Sequence, residues 1–246
     1  AIDGASCGFK LADVDGYAVT NVTVRNCTVR NCSTGWYIRQ DNLNNGIFTN
    51  YVTQCVFSNC TDCALHWQGI HNGSYRRGNL LADRSLFVRN KQAYYSDCQP
   101  PTGGRNEHAF VNCTVISNTA VGFSTWTNLR LDLYNCMVVD NGTKNAGSGS
   151  GSPIYINNSL VNAMIAAGGG CISTRSDTNF PGFAALKLNM RPGRKWHLTT
   201  ASPARKFGDR ALAASVITGD LDGFPAPTKN WDAGCYFFTG SDGFSL

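Results

Sequence analysis

Aromatic and hydrogen-bonding residues recur in four short segments of the chain. The segments read GWYIR (35–39), ALHWQ (64–68), AYYSD (93–97) and GFSTW (122–126). If each is a β-strand, alternate side chains point to opposite sides, so every second residue shares one face. Rings on that face can stack on the C–H faces of sugars, while the polar side chains bond hydroxyls; the alternative is an ordinary solvent-facing surface. The glycan-binding face predicted in this way comprises Tyr37, Arg39, His66, Gln68, Tyr95, Asp97 and Trp126.

The same face is also a candidate active site for a polysaccharide lyase or glycoside hydrolase working in a groove. Hydrolysis needs two carboxyl groups that flank the scissile bond, whereas a lyase needs a base and a cation that neutralises the uronate. The alternation places Asp97 on the face, and Glu107 is expected in the adjoining loop. Because these residues form no tight constellation, the sequence favours a protein without catalytic activity, and its spacings predict no metal site and no cofactor. The catalytic candidates are His66, Asp97, Arg39 and Glu107.

These segments belong to a repeat that runs through most of the chain. One column of the repeat reads Asn26, Gln54, Arg84, Asn112, Asn135 and Asn157. The next position reads Cys27, Cys55, Ser85, Cys113, Cys136 and Asn158. A closing column, with a one-residue wobble, reads Asn31, Asn59, Asn90, Asn118, Asn141 and Asn162.

A period this short, with alternating apolar residues inside each unit, is typical of a β-solenoid. The units have no room for a crossover helix, so successive strands must stack in parallel. The cysteine column is then expected inside the core. The closing asparagines are expected at a turn, where Asn tolerates the left-handed conformation and its amide can bond the turns of neighbouring coils.

Composition narrows the classes of protein. The 246 residues carry a net charge of +5 with 15% charged residues, and no basic run with interleaved aromatics occurs, which argues against nucleic-acid binding. No apolar run approaches the roughly 18 residues that a membrane span needs. Eleven cysteines without paired metal-binding motifs favour an oxidising, secreted or cell-surface location.

Cysteine and asparagine side chains also suggest covalent modification. Cys32 and Cys60 follow equivalent turns and are predicted to form a disulfide, and Cys63 and Cys98 form a second candidate pair. The repeat cysteines are expected to stay as stacked thiols, since in-register rungs give awkward disulfide geometry. The N-glycosylation candidates are Asn72, Asn141 and Asn21.

The last quarter of the chain carries a second pattern. It includes Pro181-x-Phe183, Trp196-x-Leu198, Ser202-Pro203-Ala204 with Gly208, Asp220-x-Asp222-Gly223-x-Pro225 and Asp232-x-Gly234-x-Tyr236. This order resembles the closing segment of secreted, right-handed parallel β-helix proteins of the choice-of-anchor Q kind. Cys235 and the stretch 205–207 depart from that pattern.

Together, the repeat and the resemblance predict an all-β, right-handed, single-stranded parallel β-helix of pectate-lyase-like architecture. Residues 1–165 are predicted to form coils with Asn and Cys ladders, and residues 166–246 to form the C-terminal coils and closing segment of the same solenoid. The chain begins at an Ile2-Asp3-Gly4 coil, which leads to the expectation of an open end, end-to-end self-association and filaments. The expected function is that of an extracellular structural or adhesive unit that binds or carries glycans; the alternative is the lyase or hydrolase.

Overall fold

The computed structural model describes residues 1–12, 21–39, 46–69, 76–97, 106–126, 129–148, 152–162, 171–173, 180–189, 195–229 and 231–239. Almost all regular structure in these ranges is β-strand. Two short 3-10 helices, Phe183–Leu186 and Arg210–Leu212, lie in the C-terminal part. The strands are β1 (Ile2–Asp3), β2 (Cys7–Ala12), β3 (Thr23–Arg25), β4 (Thr28–Arg30), β5 (Thr34–Arg39), β6 (Gly46–Thr53), β7 (Val56–Ser58), β8 (Cys63–Gln68), β9 (Arg76–Asp83), β10 (Leu86–Val88), β11 (Gln92–Ser96), β12 (Asn106–Val111), β13 (Thr114–Ile116), β14 (Val121–Thr125), β15 (Leu129–Tyr134), β16 (Met137–Val139), β17 (Lys144–Ser148), β18 (Ile154–Asn157), β19 (Leu160–Val161), β20 (Cys171–Ser173), β21 (Leu188–Asn189) and β22 (His197–Leu198).

The first twenty strands form three parallel sheets. Sheet 1 has the order β1-β4-β7-β10-β13-β16-β19, sheet 2 the order β2-β5-β8-β11-β14-β17, and sheet 3 the order β3-β6-β9-β12-β15-β18-β20. Neighbours in sheets 1 and 2 are three strands apart in the chain, as is nearly every pair in sheet 3, so each coil adds one strand to each sheet. This confirms the predicted all-β parallel solenoid; its handedness and its division at residue 165 stay predictions.

The core is built from like residues stacked in successive coils. Phe57 and Phe87 are opposite each other in β7 and β10, with ring centroids 5.4 Å apart and planes at 4°. Phe110 meets the edge of Phe87 at 5.8 Å. All three are fully buried, and burying one such side chain contributes about 1.5–3 kcal/mol.

The connection from sheet 3 to sheet 1 has two residues in every described coil, from 26–27 to 158–159. Its first residue is left-handed each time, and its second points inward. The left-handed column is Asn26, Gln54, Arg84, Asn112, Asn135 and Asn158, with φ between 46° and 53°. Asn158 rather than Asn157 therefore occupies the last rung, and Ser159 takes the cysteine position, where its Oγ accepts the backbone N–H of Cys136 at 2.9 Å. The prediction was one residue early there, because the Asn157-Asn158 doublet fits either alignment.

The connection from sheet 1 to sheet 2 has three or four residues, and its first residue is left-handed. Its left-handed residues are Asn31, Asn59, Arg89, Ser117 and Asp140. The closing asparagines from Asn31 to Asn141 all lie in this turn, as predicted, but only Asn31 and Asn59 take its left-handed position. In later coils the asparagines Asn90, Asn118 and Asn141 lie one residue further on, inside the core.

The buried asparagines form a continuous amide ladder. Asn90 Nδ2 donates to Asn118 Oδ1 at 3.0 Å, and Asn118 Nδ2 donates to Asn141 Oδ1 at 2.6 Å. Asn141 Nδ2 in turn donates to Asn145 Oδ1 at 2.6 Å. Asn141 is 3% exposed, which excludes it as a glycosylation acceptor in the folded chain. Asn21 is exposed and stays a prediction, and Asn72 lies outside the described residues.

The predicted disulfide between Cys32 and Cys60 is not formed. Both are buried free thiols, as is Cys63; the thiols of Cys32 and Cys60 each point to the carbonyl two residues earlier, and that of Cys63 to the carbonyl of Leu65. Burial raises the pKa of Cys60 to about 12, which keeps this thiol protonated and unreactive. Cys98 lies outside the described residues.

The connection from sheet 2 to sheet 3 varies in length. It spans 13–22, 40–45, 69–75, 97–105, 126–128 and 149–153 in successive coils. The unequal spacing of the sequence repeat arises mainly at this corner, since the other two connections are nearly constant.

The C-terminal part, residues 180–239, packs along the outside of sheets 1 and 3. Its apolar side chains, among them Trp196 and Tyr236, cover the outward residues of sheet 1 such as Leu86 and Met137. Three residues of the left-handed column hold its backbone: Gln54 Nε2 donates to Asp220 O at 2.7 Å, Asn112 Nδ2 to Asp232 O at 3.1 Å and Asn135 Nδ2 to Asp209 O at 2.9 Å. In the ranges described, no helix is long and apolar enough to cross a membrane.

The ladder predicts unequal costs for two asparagine substitutions. Asn118→Ala leaves the backbone N–H of Asn90 without its acceptor in the core and removes the bonds that the Asn118 amide donates to Phe87 O and Asn141 Oδ1, so we expect a loss of about 3 kcal/mol in the free energy of unfolding. Asn59→Ala, at an exposed left-handed turn, is the control and should cost only about 1 kcal/mol. Urea unfolding followed by circular dichroism measures both. Equal losses would contradict a ladder that stabilises the core.

Candidate functional site

The outward side chains of sheet 2 form a row that crosses successive coils. Tyr37, His66 and Tyr95 lie opposite one another in β5, β8 and β11. The rings of Tyr37 and His66 have centroids 5.1 Å apart at 77°, and those of His66 and Tyr95 are also 5.1 Å apart, at 57°. The ammonium of Lys10 extends the row to β2, 6.0 Å from the Tyr37 ring centroid. The row is therefore a ridge of rings with a cation at one end.

The residues between these positions point into the core, as the alternation predicts. Trp36, Leu65, Tyr94 and Phe123 are at most 1% exposed, whereas Tyr37, His66, Tyr95 and Ser124 are half-buried. The strand period is thus confirmed. The use of the face in binding stays a prediction.

A second row of polar side chains lies beside the ring row. The Tyr37 hydroxyl donates to Gln68 Oε1, and Gln68 Nε2 donates to Asp97 Oδ2 at 3.2 Å. Arg39 is opposite Gln68 in the neighbouring strand. The backbone N–H of Trp126 donates to Ser96 O at 2.9 Å, which places Trp126 next to Asp97. The Trp126 ring is 54% exposed and forms an apolar end to the polar row.

His66 and Asp97 link the two rows. His66 Nε2 lies 3.5 Å from Asp97 Oδ1, beyond good hydrogen-bond length. Both atoms are buried, and neither has a hydrogen-bond partner within the described chain. Burial, followed by the nearby Asp97 carboxylate, raises the pKa of Tyr95. The Tyr95 hydroxyl is therefore a neutral group able to donate or accept a hydrogen bond.

The structure separates one catalytic candidate from the other three. Glu107 lies on β12 in sheet 3, opposite Arg130, with its side chain exposed. The prediction of an adjoining loop was wrong because strand β12 begins earlier than the sequence suggested. His66, Asp97 and Arg39 share the outer face of sheet 2, and Asp97 is the one carboxylate in its two rows. The face thus combines one acid, one imidazole and one guanidinium.

Sequence reasoning missed Lys10. It lies opposite Tyr37 in β2, and extending the strand alignment one coil towards the N-terminus would have found it.

Comparison with known proteins gives no match: neither a protein-family model, nor a curated protein, nor a solved structure matches the chain. Functional inference therefore rests on the residues themselves.

A further histidine, His108, is a core residue. Its Nδ1 accepts the Tyr94 hydroxyl and its Nε2–H donates to Gly78 O at 3.1 Å, with Trp67 packed 4.6 Å away, centroid to centroid. Burial lowers the pKa of His108 to about 3. The imidazole is therefore neutral in the folded protein.

This burial predicts a pH-dependent stability. Below the ordinary pKa of 6.5 the unfolded chain binds a proton at His108 that the folded chain does not, so stability falls as pH falls towards 3. In His108→Gln, whose amide can replace both hydrogen bonds, this loss is absent. We expect the stability of the wild type relative to the variant to drop by about 2 kcal/mol between pH 7 and pH 5.

Urea denaturation of both proteins at the two pH values measures this difference. Because all other titrating groups are shared, they cancel in the comparison. A constant difference would show that His108 can be protonated in the folded state.

Proposed function

We propose that the protein is a carbohydrate-binding β-solenoid that holds a glycan along the outer face of sheet 2. The observation that carries the proposal is the pair of parallel rows, in which Tyr37, His66 and Tyr95 run beside Arg39, Gln68 and Asp97. The rings offer flat apolar surfaces, and the second row offers donors and acceptors already joined through Gln68.

The spacing of the face suits an extended ligand. Successive coils repeat at about 4.8 Å, so each coil presents the same kind of group a short step further along the axis. A glycan aligned with that axis would meet a ring and a polar group at each step. The buried Nε2 of His66 and Oδ1 of Asp97 support this proposal, because buried polar atoms without partners are costly until a ligand or water bonds them.

The proposal also covers the location of the protein and its wider role. The resemblance of the closing segment to secreted β-helix proteins supports a place outside the cell or at its surface. There a glycan-binding solenoid would act as a structural or adhesive unit. The proposal includes filament formation and glycosylation at Asn21 or Asn72.

A second candidate function is a polysaccharide lyase acting on this face. The His66–Asp97 pair favours it, since a proton on Nε2 directed at Asp97 leaves the other ring nitrogen as a base. Arg39 could neutralise an acidic sugar. A hydrolase is less well supported, because the two rows contain a single carboxylate and hydrolysis uses a pair.

Binding can be tested with Trp126→Ala. The exposed ring is expected to stack on a sugar, so its removal should weaken affinity about five-fold. Phe224→Ala is a matched control, since Phe224 is 38% exposed and lies elsewhere. A glycan array identifies a ligand for the wild type, and calorimetry compares the variants. Failure of the wild type to bind any neutral or acidic glycan, or equal loss in both variants, would contradict the proposal.

The glycan identified on the array can also be used to distinguish binding from catalysis. For a lyase, the wild type should release unsaturated products that absorb in the ultraviolet, and His66→Ala should abolish the release while retaining binding. For a binding protein, the wild type binds without turnover.

Filament formation has its own test. Negative-stain electron microscopy of the native protein should show rods joined end to end if the solenoid is a building block. Isolated short rods over a wide concentration range would contradict that role and leave glycan binding unaffected.

A further inference from the structure

A cleft of about 370 Å³ lies between sheet 1 and the C-terminal part, away from the sheet 2 face. Its apolar floor is formed by Val56, Leu86 and Val88 of sheet 1. Its other wall comes from residues 195–197, Asp222 and Tyr236. The cleft therefore joins two parts of the chain that are distant in sequence.

Two cations line this cleft. The guanidinium of Arg89 lies 5.9 Å from the Trp196 ring centroid, and the ammonium of Lys195 lies 5.3 Å from it. Neither is in an ion pair with another residue that the structure describes. Asp222 is the only acidic side chain among the cleft residues described.

The Asp222 carboxylate already has a partner in His197. Its Oδ2 lies 2.6 Å from His197 Nε2, and His197 Nδ1 lies 3.3 Å from the Lys195 carbonyl oxygen. The imidazole of His197 thus occupies the carboxylate of Asp222. Because Arg89 and Lys195 outnumber this single carboxylate, the described lining of the cleft has a net positive charge.

The backbone at two residues of the cleft, Arg89 and Trp196, is unusual for the residue types it carries. Arg89 has a φ of 58° at a corner where earlier coils place Asn31 and Asn59, which suit that conformation better. Trp196 has a φ of 73°, an unfavourable conformation for a bulky residue that costs about 1–3 kcal/mol and is concentrated at functional sites. Tyr236 stacks on His197 with centroids 4.0 Å apart, which gives the cleft a flat aromatic wall.

We propose that this cleft binds a small organic anion. Its acidic group would lie between Arg89 and Lys195, and its apolar body against Tyr236 and the floor of sheet 1. The site is independent of the glycan-binding face, because it lies on another sheet and shares no residue with it.

Calorimetry at constant ionic strength tests the proposal with defined probes. Glucuronate and benzoate carry a carboxylate on a ring, glucose and benzamide are their neutral counterparts, and inorganic sulfate carries charge alone. We expect at least one of the carboxylates to bind and its neutral counterpart to bind at least ten-fold more weakly. Binding of sulfate alone, equal binding of acid and neutral probes, or no binding of any probe would overturn the proposal.

Charge-matched variants then locate the site. Lys195→Met keeps an apolar chain against Trp196 and should weaken binding of the carboxylate about ten-fold, as expected for loss of a charge-assisted contact. Lys229→Met removes the same charge from an exposed position outside the cleft and should leave affinity unchanged. Equal losses in the two variants would indicate a non-specific charge effect and overturn the assignment.

Two further measurements separate the cleft from the glycan-binding face and replace the variant if it does not fold. Trp126→Ala, on the glycan-binding face, should bind the carboxylate as the wild type does, whether or not that face binds glycans. If Lys195→Met fails to fold, the wild type can be titrated with salt, since an ionic contact weakens as ionic strength rises. A salt-independent affinity would contradict binding by the two cations.

Discussion

Every described coil turns from sheet 3 into sheet 1 through one residue in the left-handed conformation, and the remaining structure depends on that residue recurring at the same place. The turn fixes which side chains point inward. It therefore stacks Phe57 on Phe87 and places Cys55 next to the equivalent residues of the neighbouring coils. Asparagine is suited to this conformation because its short polar side chain offsets part of the steric cost. Four of the six described coils have Asn at this position, and the other two have Gln54 and Arg84.

The two residues that replace asparagine each use a longer side chain for a contact of its own. Gln54 reaches the backbone of Asp220 in the outer segment, whereas Arg84 pairs with the buried Asp83 beside it in the same coil, at 2.5 Å. At the next corner, Arg89 stands where other coils have smaller residues and lies over Trp196. At Gln54 and Arg89 the repeat thus gives up local conformational preference where a longer side chain contacts another part of the chain. Asn112 and Asn135 keep that preference and also bond the C-terminal backbone, so one column both turns the coils and anchors the outer segment.

Much of the solenoid could be predicted because its order is local and repeated. The alternation in β5, β8 and β11 predicted both the buried residues and the outward rows with the correct neighbours. The last rung was misplaced by one residue because neighbouring asparagines fit two registers. The closing asparagines were all expected in the left-handed conformation, although Asn90, Asn118 and Asn141 lie one residue beyond it with buried side chains, because the sequence does not show which of two neighbouring turn residues is left-handed. Neither the place of Glu107 nor the cleft around His197 follows from a repeat, since both depend on loop lengths and on how a non-repetitive segment packs.

The three corners of the coil differ in how much their length varies between coils. The corner after sheet 3 always has two residues and the corner after sheet 1 has three or four, while the corner after sheet 2 ranges from three residues (126–128) to ten (13–22). Residues can therefore be gained or lost at that third corner without shifting a rung or repacking the core. The same corner borders the second row, which ends at Gln68, Asp97 and Trp126. A protein of this design can change the loop at one edge of the sheet 2 face while the scaffold of stacked coils stays unchanged.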